Sequence, residues 1–167
     1  TFNPVLTIGY QIAEPLRVLH GYSKKAAEAE AIQLLERMQI RDAAQKMRRY
    51  AHEFSGGMLQ RAAIAMALAC KPQLLIADEP TTALDVSTQA EVMQLLAELH
   101  RQKNLGILFI THDLALVAQQ AERVAVMYRG EIVETGITRT VLTQPQHVYT
   151  KTLLAALPVA LTKYSIS

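Results

Sequence analysis

Two short segments carry residue types at spacings that suit phosphate chemistry. Ser55-Gly56-Gly57, within Phe54-Ser55-Gly56-Gly57-Met58, stands where an apolar periodic segment begins. A hydroxyl and unobstructed backbone N–H groups at the positive end of a helix dipole are what holding an anion requires. The same residue types also make an ordinary helix N-cap and turn. Asp78 and Glu79 close the apolar run Leu74-Leu75-Ile76-Ala77. Set side by side where a strand ends, one carboxylate would stand near a magnesium ion and its neighbour against an attacking water, although a pair of solvated loop carboxylates has the same sequence. His112 follows the next apolar run, Ile107 to Ile110, where its ring would either donate to a phosphate oxygen or serve structure alone. The loop that usually cradles the phosphates is missing: none of the seven glycines starts the pattern of glycine, four residues, Gly-Lys and Ser or Thr.

The elements that must position these residues follow from hydrophobic periodicity. Between Gln11 and Gln45 the pattern is helical, with Ala27, Ala31, Leu34, Leu35 and Met38 on one face behind a Ser23 N-cap. After the Ser-Gly-Gly turn, Met58, Ala62, Ala65, Met66 and Ala69 trace a second apolar stripe that stops near Lys71-Pro72, where proline cannot continue a helix. Leu74 to Ala77 reads as a strand buried on both faces, with its carboxylates at the carboxyl end. A helix through Val92, Leu95, Leu96 and Leu99, a turn at Asn104 to Gly106 and the strand Ile107 to Ile110 follow. This strand-helix-strand alternation predicts a parallel sheet. Leu114 to Ala121 is a further helix, Val124 to Met127 a third strand, and Arg129-Gly130 the turn of a hairpin into Ile132-Val133. The remainder, through Leu153, Leu154 and Leu157, is helix punctuated by Pro145 and Pro158.

Composition narrows the class. The chain has 167 residues, half of them apolar, and a net charge of +2 without a long basic run, so a globular domain is expected and nothing supports a nucleic-acid tail. The longest apolar run, Ala62 to Cys70, is far short of the roughly 20 residues that cross a bilayer. One cysteine makes no internal disulfide, and no secretory signal is visible, which sets a reducing cytoplasmic environment as the expectation. Cys70 reads as core, Met38, Met47, Met66 and Met93 as gap-filling core, and His100 as solvent-facing and inert. Arg48-Arg49 reads as a charge pair at a helix C-terminus.

Taken together, the serine-glycine-glycine helix start, the apolar strand with Asp-Glu, the segment Pro80-Thr81-Thr82-Ala83-Leu84-Asp85 and the strand followed by His112 closely resemble the ATP-binding-cassette (ABC) ATPases. The resemblance covers essentially the whole chain. It is most specific for the oligopeptide and dipeptide importer branch, through Asn3 to Gly9, Ile64 to Leu68, Ala77 to Val86 and the tail Pro145-Gln146-His147-Val148-Tyr149-Thr150.

The resemblance implies an α/β fold: a partial RecA-like P-loop NTPase domain with an inserted helical subdomain, the P-loop strand and N-terminal β-subdomain being absent. Residues 1–71 would form the helical, signature-bearing part and residues 72–167 the distal RecA-like part. It implies Phe54 to Met58 as the signature, Asp78 as the Walker B aspartate that holds magnesium, Glu79 as the catalytic glutamate, Asp85 as the D-loop aspartate and His112 as the switch histidine. Ser55, Gly56, Gly57 and Asp85 would then bind nucleotide, with Glu79 and His112 catalytic. ATP and magnesium are the implied ligands, and no iron–sulfur cluster is expected. The implied partners are a second cassette and transmembrane permease subunits, with no nucleic acid, at the cytoplasmic face of the membrane as a peripheral protein. The implied function is ATP hydrolysis that energises import of peptides or similar small solutes. The 167 residues alone are expected to be inactive, because the P-loop lysine, its neighbouring hydroxyl and the Q-loop glutamine have no match. Competing readings are a soluble ABC ATPase acting on nucleic acid and a non-catalytic remnant or interaction module. Departures from the branch are Phe54 for the usual Leu, Ala51 for Pro, Leu59 for a polar residue and Val148 for the tail proline, all tolerable packing changes.

Overall fold

A computed structural model describes residues 2–80, 85–103 and 105–156. Thr81 to Leu84, Asn104, Leu157 and Pro158 lie outside the described residues. The chain divides into two compact units, Thr1–Ile110 and Thr111–Ser167.

In the first unit, α1 (Ile8–His20), α2 (Lys24–Arg37) and α4 (Gly56–Ala69) pack on one another, with the short α3 (Ala43–Lys46) beside α2. Their apolar stripes supply the core: Ile8, Ile12 and Leu16 from α1, Ala27, Ala31, Leu34 and Leu35 from α2, and Ala62, Ala65 and Leu68 from α4 are all buried. The alanines on α2 and α4 let the helix backbones approach closely. As the sequence predicts, Ser23 caps α2, its hydroxyl accepting from the Ala26 N–H at 3.3 Å. Buried Gln11 secures the entry loop: its amide donates to the carbonyls of Asn3 (3.1 Å) and Leu6 (3.0 Å) and accepts from the Asn3 N–H (2.7 Å). Both donor hydrogens and one acceptor position of a side chain that is costly to bury are thereby satisfied.

The chain then enters β1 (Leu74–Asp78), crosses by α5 (Val86–Lys103) and returns in β2 (Gly106–Ile110). The two strands are parallel, with Leu74 opposite Gly106 and Asp78 opposite Ile110, as the alternation requires. They differ from expectation in burial. Only one face of this two-stranded sheet is covered, with Leu75 buried, while Ile76 and Leu108 on the other face are 59% and 48% exposed. Continuous apolar strands belong to sheets covered on both faces, and the described residues supply one cover.

Two further expectations change. Cys70 is the exposed C-cap residue of α4 rather than core, because the helix ends there in a turn before Pro72. His100 is not inert: its Nδ1 donates to the Leu105 carbonyl at 2.8 Å and closes the turn from α5 into β2. The methionines behave as read, with Met38 and Met93 buried and Met47 and Met66 half-buried.

The second unit comprises α6 (Leu114–Gln120), a hairpin of β3 (Arg123–Tyr128) and β4 (Glu131–Ile137), α7 (Thr138–Thr143) and α8 (Val148–Ala155). The hairpin turns on Arg129 and Gly130, both at positive φ (51° and 85°), the geometry that matches the twist of antiparallel strands. Glu134 accepts from the N–H groups of Gln146 (2.8 Å) and His147 (3.1 Å), and His147 Nδ1 caps α8 by accepting from the Tyr149 N–H at 3.1 Å. Among the described residues no helix is long and apolar enough to cross a membrane.

Candidate functional site

Ser55 is the N-cap of α4, at φ −68° and ψ 160°, and its hydroxyl accepts from the Met58 N–H at a long 3.4 Å. The ordinary reading of this residue is therefore realised, yet the hydroxyl proton stays available for donation. The N–H groups of the first helical turn, Gly56 and Gly57 among them, have no intrahelical acceptor and stand at the positive end of a helix of 14 residues. Gly57 also meets a second requirement. A Cβ at that position would overlap Cγ2 of Thr88 on α5, so only glycine permits this approach of the two helices. Arg61 of α4 and Glu91 of α5 form an ion pair one turn further on.

Asp78 ends β1 with its side chain exposed. Glu79 comes directly after it at φ 44°, a left-handed conformation that is uncommon and costly for a residue with a side chain. Its N–H donates to the Ile110 carbonyl at 2.8 Å, so the end of β2 fixes the backbone of Glu79. No group of three or more His, Cys, Asp or Glu that would chelate a metal occurs among the described residues. One carboxylate is nonetheless the donor set that suits magnesium, which keeps several waters and binds through one or two carboxylates and the substrate's phosphates.

Asp85 heads α5. Its carboxylate accepts from the Ser87 hydroxyl (2.6 Å), the Thr88 N–H (2.9 Å) and the Thr88 hydroxyl (2.8 Å). The Ser87 hydroxyl first, then the Thr88 N–H and hydroxyl, hold this carboxyl well below the usual aspartate range. Because the folded value is depressed, the stability that the cap contributes is present in full above the ordinary value of 3.8 and is lost as pH falls below it. The carboxyl carbon resonance of Asp85 is accordingly expected to titrate well below 3.8, and Asp85→Asn should flatten this part of the acid dependence of stability. A midpoint at the ordinary value would show that the cap does not form.

Ser55, Gly56, Gly57, Asp78, Glu79 and Asp85 all lie in the first unit, where Thr88 ties the Ser-Gly-Gly turn to Asp85. His112 belongs to the second unit. It is exposed, in a tight turn in which the Asp113 N–H donates to the Thr111 hydroxyl (3.0 Å) and Asp113 caps α6 by accepting from Ala115 and Leu116. An open pocket of about 740 Å³ beside α3 is lined by Arg48, Arg49, Tyr50 and His52, and none of the predicted site residues contributes to it. Arg48 and Arg49 follow the C-cap of α3, their N–H groups donating to the carbonyls of Gln45 (3.1 Å) and Lys46 (2.9 Å), and the Arg49 guanidinium pairs with Glu53 at 2.7 Å. Sequence reasoning missed Thr88, the Arg61–Glu91 pair and the conformation of Glu79. The spacing of Asp85 and Thr88, the signature of a helix cap, was the signal for the first.

A Ser-Gly-Gly helix start and a parallel strand ending in Asp-Glu define the class as an α/β nucleotide-phosphate domain carrying an extra helical block. The family described as ABC transporter matches residues 2–82. The chain is 51% identical over 158 residues to the glutathione import ATP-binding protein GsiA of Escherichia coli K12, covering 95% of this chain and 25% of that protein. It is 53% identical over 158 residues to a Brucella melitensis protein named for peptide import, covering 95% of this chain and 47% of the other. The dimeric ATP-binding cassette MJ0796, solved with ADP and Pi in a post-hydrolysis state, superposes with a TM-score of 0.70 at 29% identity, over 83% of this chain and 59% of that one. The chain is similar to the ATP-binding domains of ABC transporters over nearly its whole length, and it spans between a quarter and a half of the length of these two curated relatives.

Proposed function

We propose that the chain is the signature- and Walker-B-bearing part of an ATP-hydrolysing subunit that powers an importer for peptides or a small peptide-like solute such as glutathione. The observation that carries this reading is the strained, backbone-locked Glu79 at the end of β1, in the same unit as the Ser55-capped α4. Names of the 51–53% identical relatives supply the solute class. Ser55 and the N–H groups of Gly56 and Gly57 bind the γ-phosphate of ATP held by a second cassette. Asp78 would hold magnesium, which when bound offsets phosphate charge. Glu79 orients and deprotonates the attacking water, and His112 donates to a phosphate oxygen. Asp85, through Ser87 and Thr88, caps the head of α5 at the face that meets the second cassette. An exposed site rather than an enclosed pocket fits chemistry that is completed by a second chain. Attachment to the cytoplasmic face of the membrane comes through permease subunits, and no iron–sulfur cluster or nucleic acid enters the mechanism. The 167 residues alone hydrolyse no ATP, since phosphate binding in this class depends on P-loop N–H groups and a lysine.

The test joins this chain to a P-loop-bearing half and replaces Ser55 with Arg. A bulky cation then fills the anion site, so ATP-dependent dimerisation is lost while the monomer still binds ATP. Sedimentation in a hydrolysis-deficient background reads both. An unaltered ATP-dependent dimer would reduce the Ser-Gly-Gly turn to a helix cap and remove this reading.

A further inference from the structure

The contact between α4 and α5 joins two parts of the site that the sequence presents as separate. Gly57 lies in the anion-binding turn at the head of α4, and Asp85 heads α5. Between them stands Thr88, and each of its polar and apolar groups has a defined neighbour. Its N–H and its hydroxyl both go to the Asp85 carboxylate, at 2.9 and 2.8 Å. The N–H bond holds the carboxylate over the start of the helix, and the hydroxyl bond to its other oxygen then fixes the side-chain rotamer of a β-branched residue that already has few rotamers in a helix. The Cγ2 methyl is thereby aimed at Gly57, into the space where any other residue would carry its Cβ. The Arg61–Glu91 pair, with the Arg61 side chain only 14% exposed, pins the same two helices further along.

We infer that Thr88 is a positioning residue: its methyl group, oriented by Asp85, sets the Ser55–Gly57 turn against the head of α5 so that both present to the second cassette as one rigid surface. The inference rests on the function proposed above and assigns to Thr88 no contact with nucleotide. Its chemical content is a division of labour within one side chain. The methyl supplies the contact and the hydroxyl aims it, while Asp85 keeps two other donors, the Ser87 hydroxyl and the Thr88 N–H, when that hydroxyl is removed.

Two substitutions separate these roles in the chain joined to its P-loop half. Thr88→Ser keeps the hydroxyl and removes the methyl. Thr88→Val keeps the methyl in the one rotamer that valine favours in a helix and removes the hydroxyl. Thr88→Ser is expected to raise the ATP concentration for half-maximal dimerisation about fivefold, the lower end of ordinary coupling between sites, with monomer ATP affinity and melting temperature unchanged. Thr88→Val is expected to stay within about twofold of the parent, because a γ-methyl still fills the contact. A Ser variant that dimerises like the parent would overturn the inference, as would Ser and Val variants impaired alike. A Ser variant that loses fold or monomer affinity in step with dimerisation would assign Thr88 to stability alone and overturn it too. Should Ser55→Arg leave dimerisation intact, the proposed function itself fails. Should Ser55→Arg block it and Thr88→Ser have no effect, only the present inference fails.

Discussion

Replacing Glu79 by Gln, in the chain joined to a P-loop half, is expected to lower ATP hydrolysis by about 10²–10⁴-fold and to leave nucleotide binding in place. The substitution keeps the side chain's shape and removes the basicity that a water-activating carboxylate needs. It also keeps the Glu79 N–H on the Ile110 carbonyl, so the strand end is undisturbed. Phosphate release and nucleotide binding, measured on the same preparation, separate the two effects. Parallel loss of both would make Glu79 a structural residue. A companion substitution uses the backbone. At φ 44° Glu79 carries a strain on the order of 1–3 kcal/mol, which glycine does not. Glu79→Gly is therefore expected to abolish hydrolysis without lowering the melting temperature. A residue that costs stability where it stands and is indispensable to turnover is the mark of a site kept for its chemistry; a marked fall in melting temperature would argue the reverse.

How much of this was legible beforehand depends on the range of the interaction. Ser23 and Ser55 as caps, the parallel pairing of β1 with β2 and the Arg129-Gly130 turn all follow from local chemistry or from periodicity, and the structure reproduces them. The order of Ser-Gly-Gly, Asp-Glu and His motifs carried the family. What stayed hidden was set by packing between elements distant in sequence. Nothing local marks Thr88 as the neighbour of Gly57, since the contact depends on how α4 crosses α5. Nothing local gives Glu79 a positive φ, because the constraint comes from Ile110 across the sheet. Cys70 misled for a related reason: an apolar run of small residues does not reveal the turn at which its helix ends, and the last residue of that run is the one that reaches solvent. The sheet face misled because the pattern of an apolar strand records burial on both faces, whatever covers them.

That uncovered face sets the second large expectation, which is self-association of the 167-residue chain on its own. Leu74 and Ile76 of β1 are 54% and 59% exposed, and Leu108 and Ile110 of β2 are 48% and 47% exposed. Side chains alternate along each strand, and the register sets Ile76 beside Leu108, so all four lie on one face of the sheet. Leu75, on the opposite face, is buried. Covering four half-exposed apolar side chains would stabilise a contact by roughly 1 kcal/mol each, enough to drive association at ordinary protein concentrations. The backbone adds to this, because each strand of the two-stranded sheet presents an outer edge with no third strand among the described residues, and open edges recruit other chains. Sedimentation velocity should show mass rising with concentration. Ile76→Lys combined with Leu108→Glu places opposite charges on facing residues of the exposed side, where they attract each other across the strands without touching the buried face. The double variant is expected to keep its far-UV circular dichroism and to sediment at lower mass, and addition of a P-loop half should suppress association of the parent chain by covering the same side chains. A parent chain that stays monomeric across that concentration range would mean that the face is protected without a partner, and the expectation would be wrong.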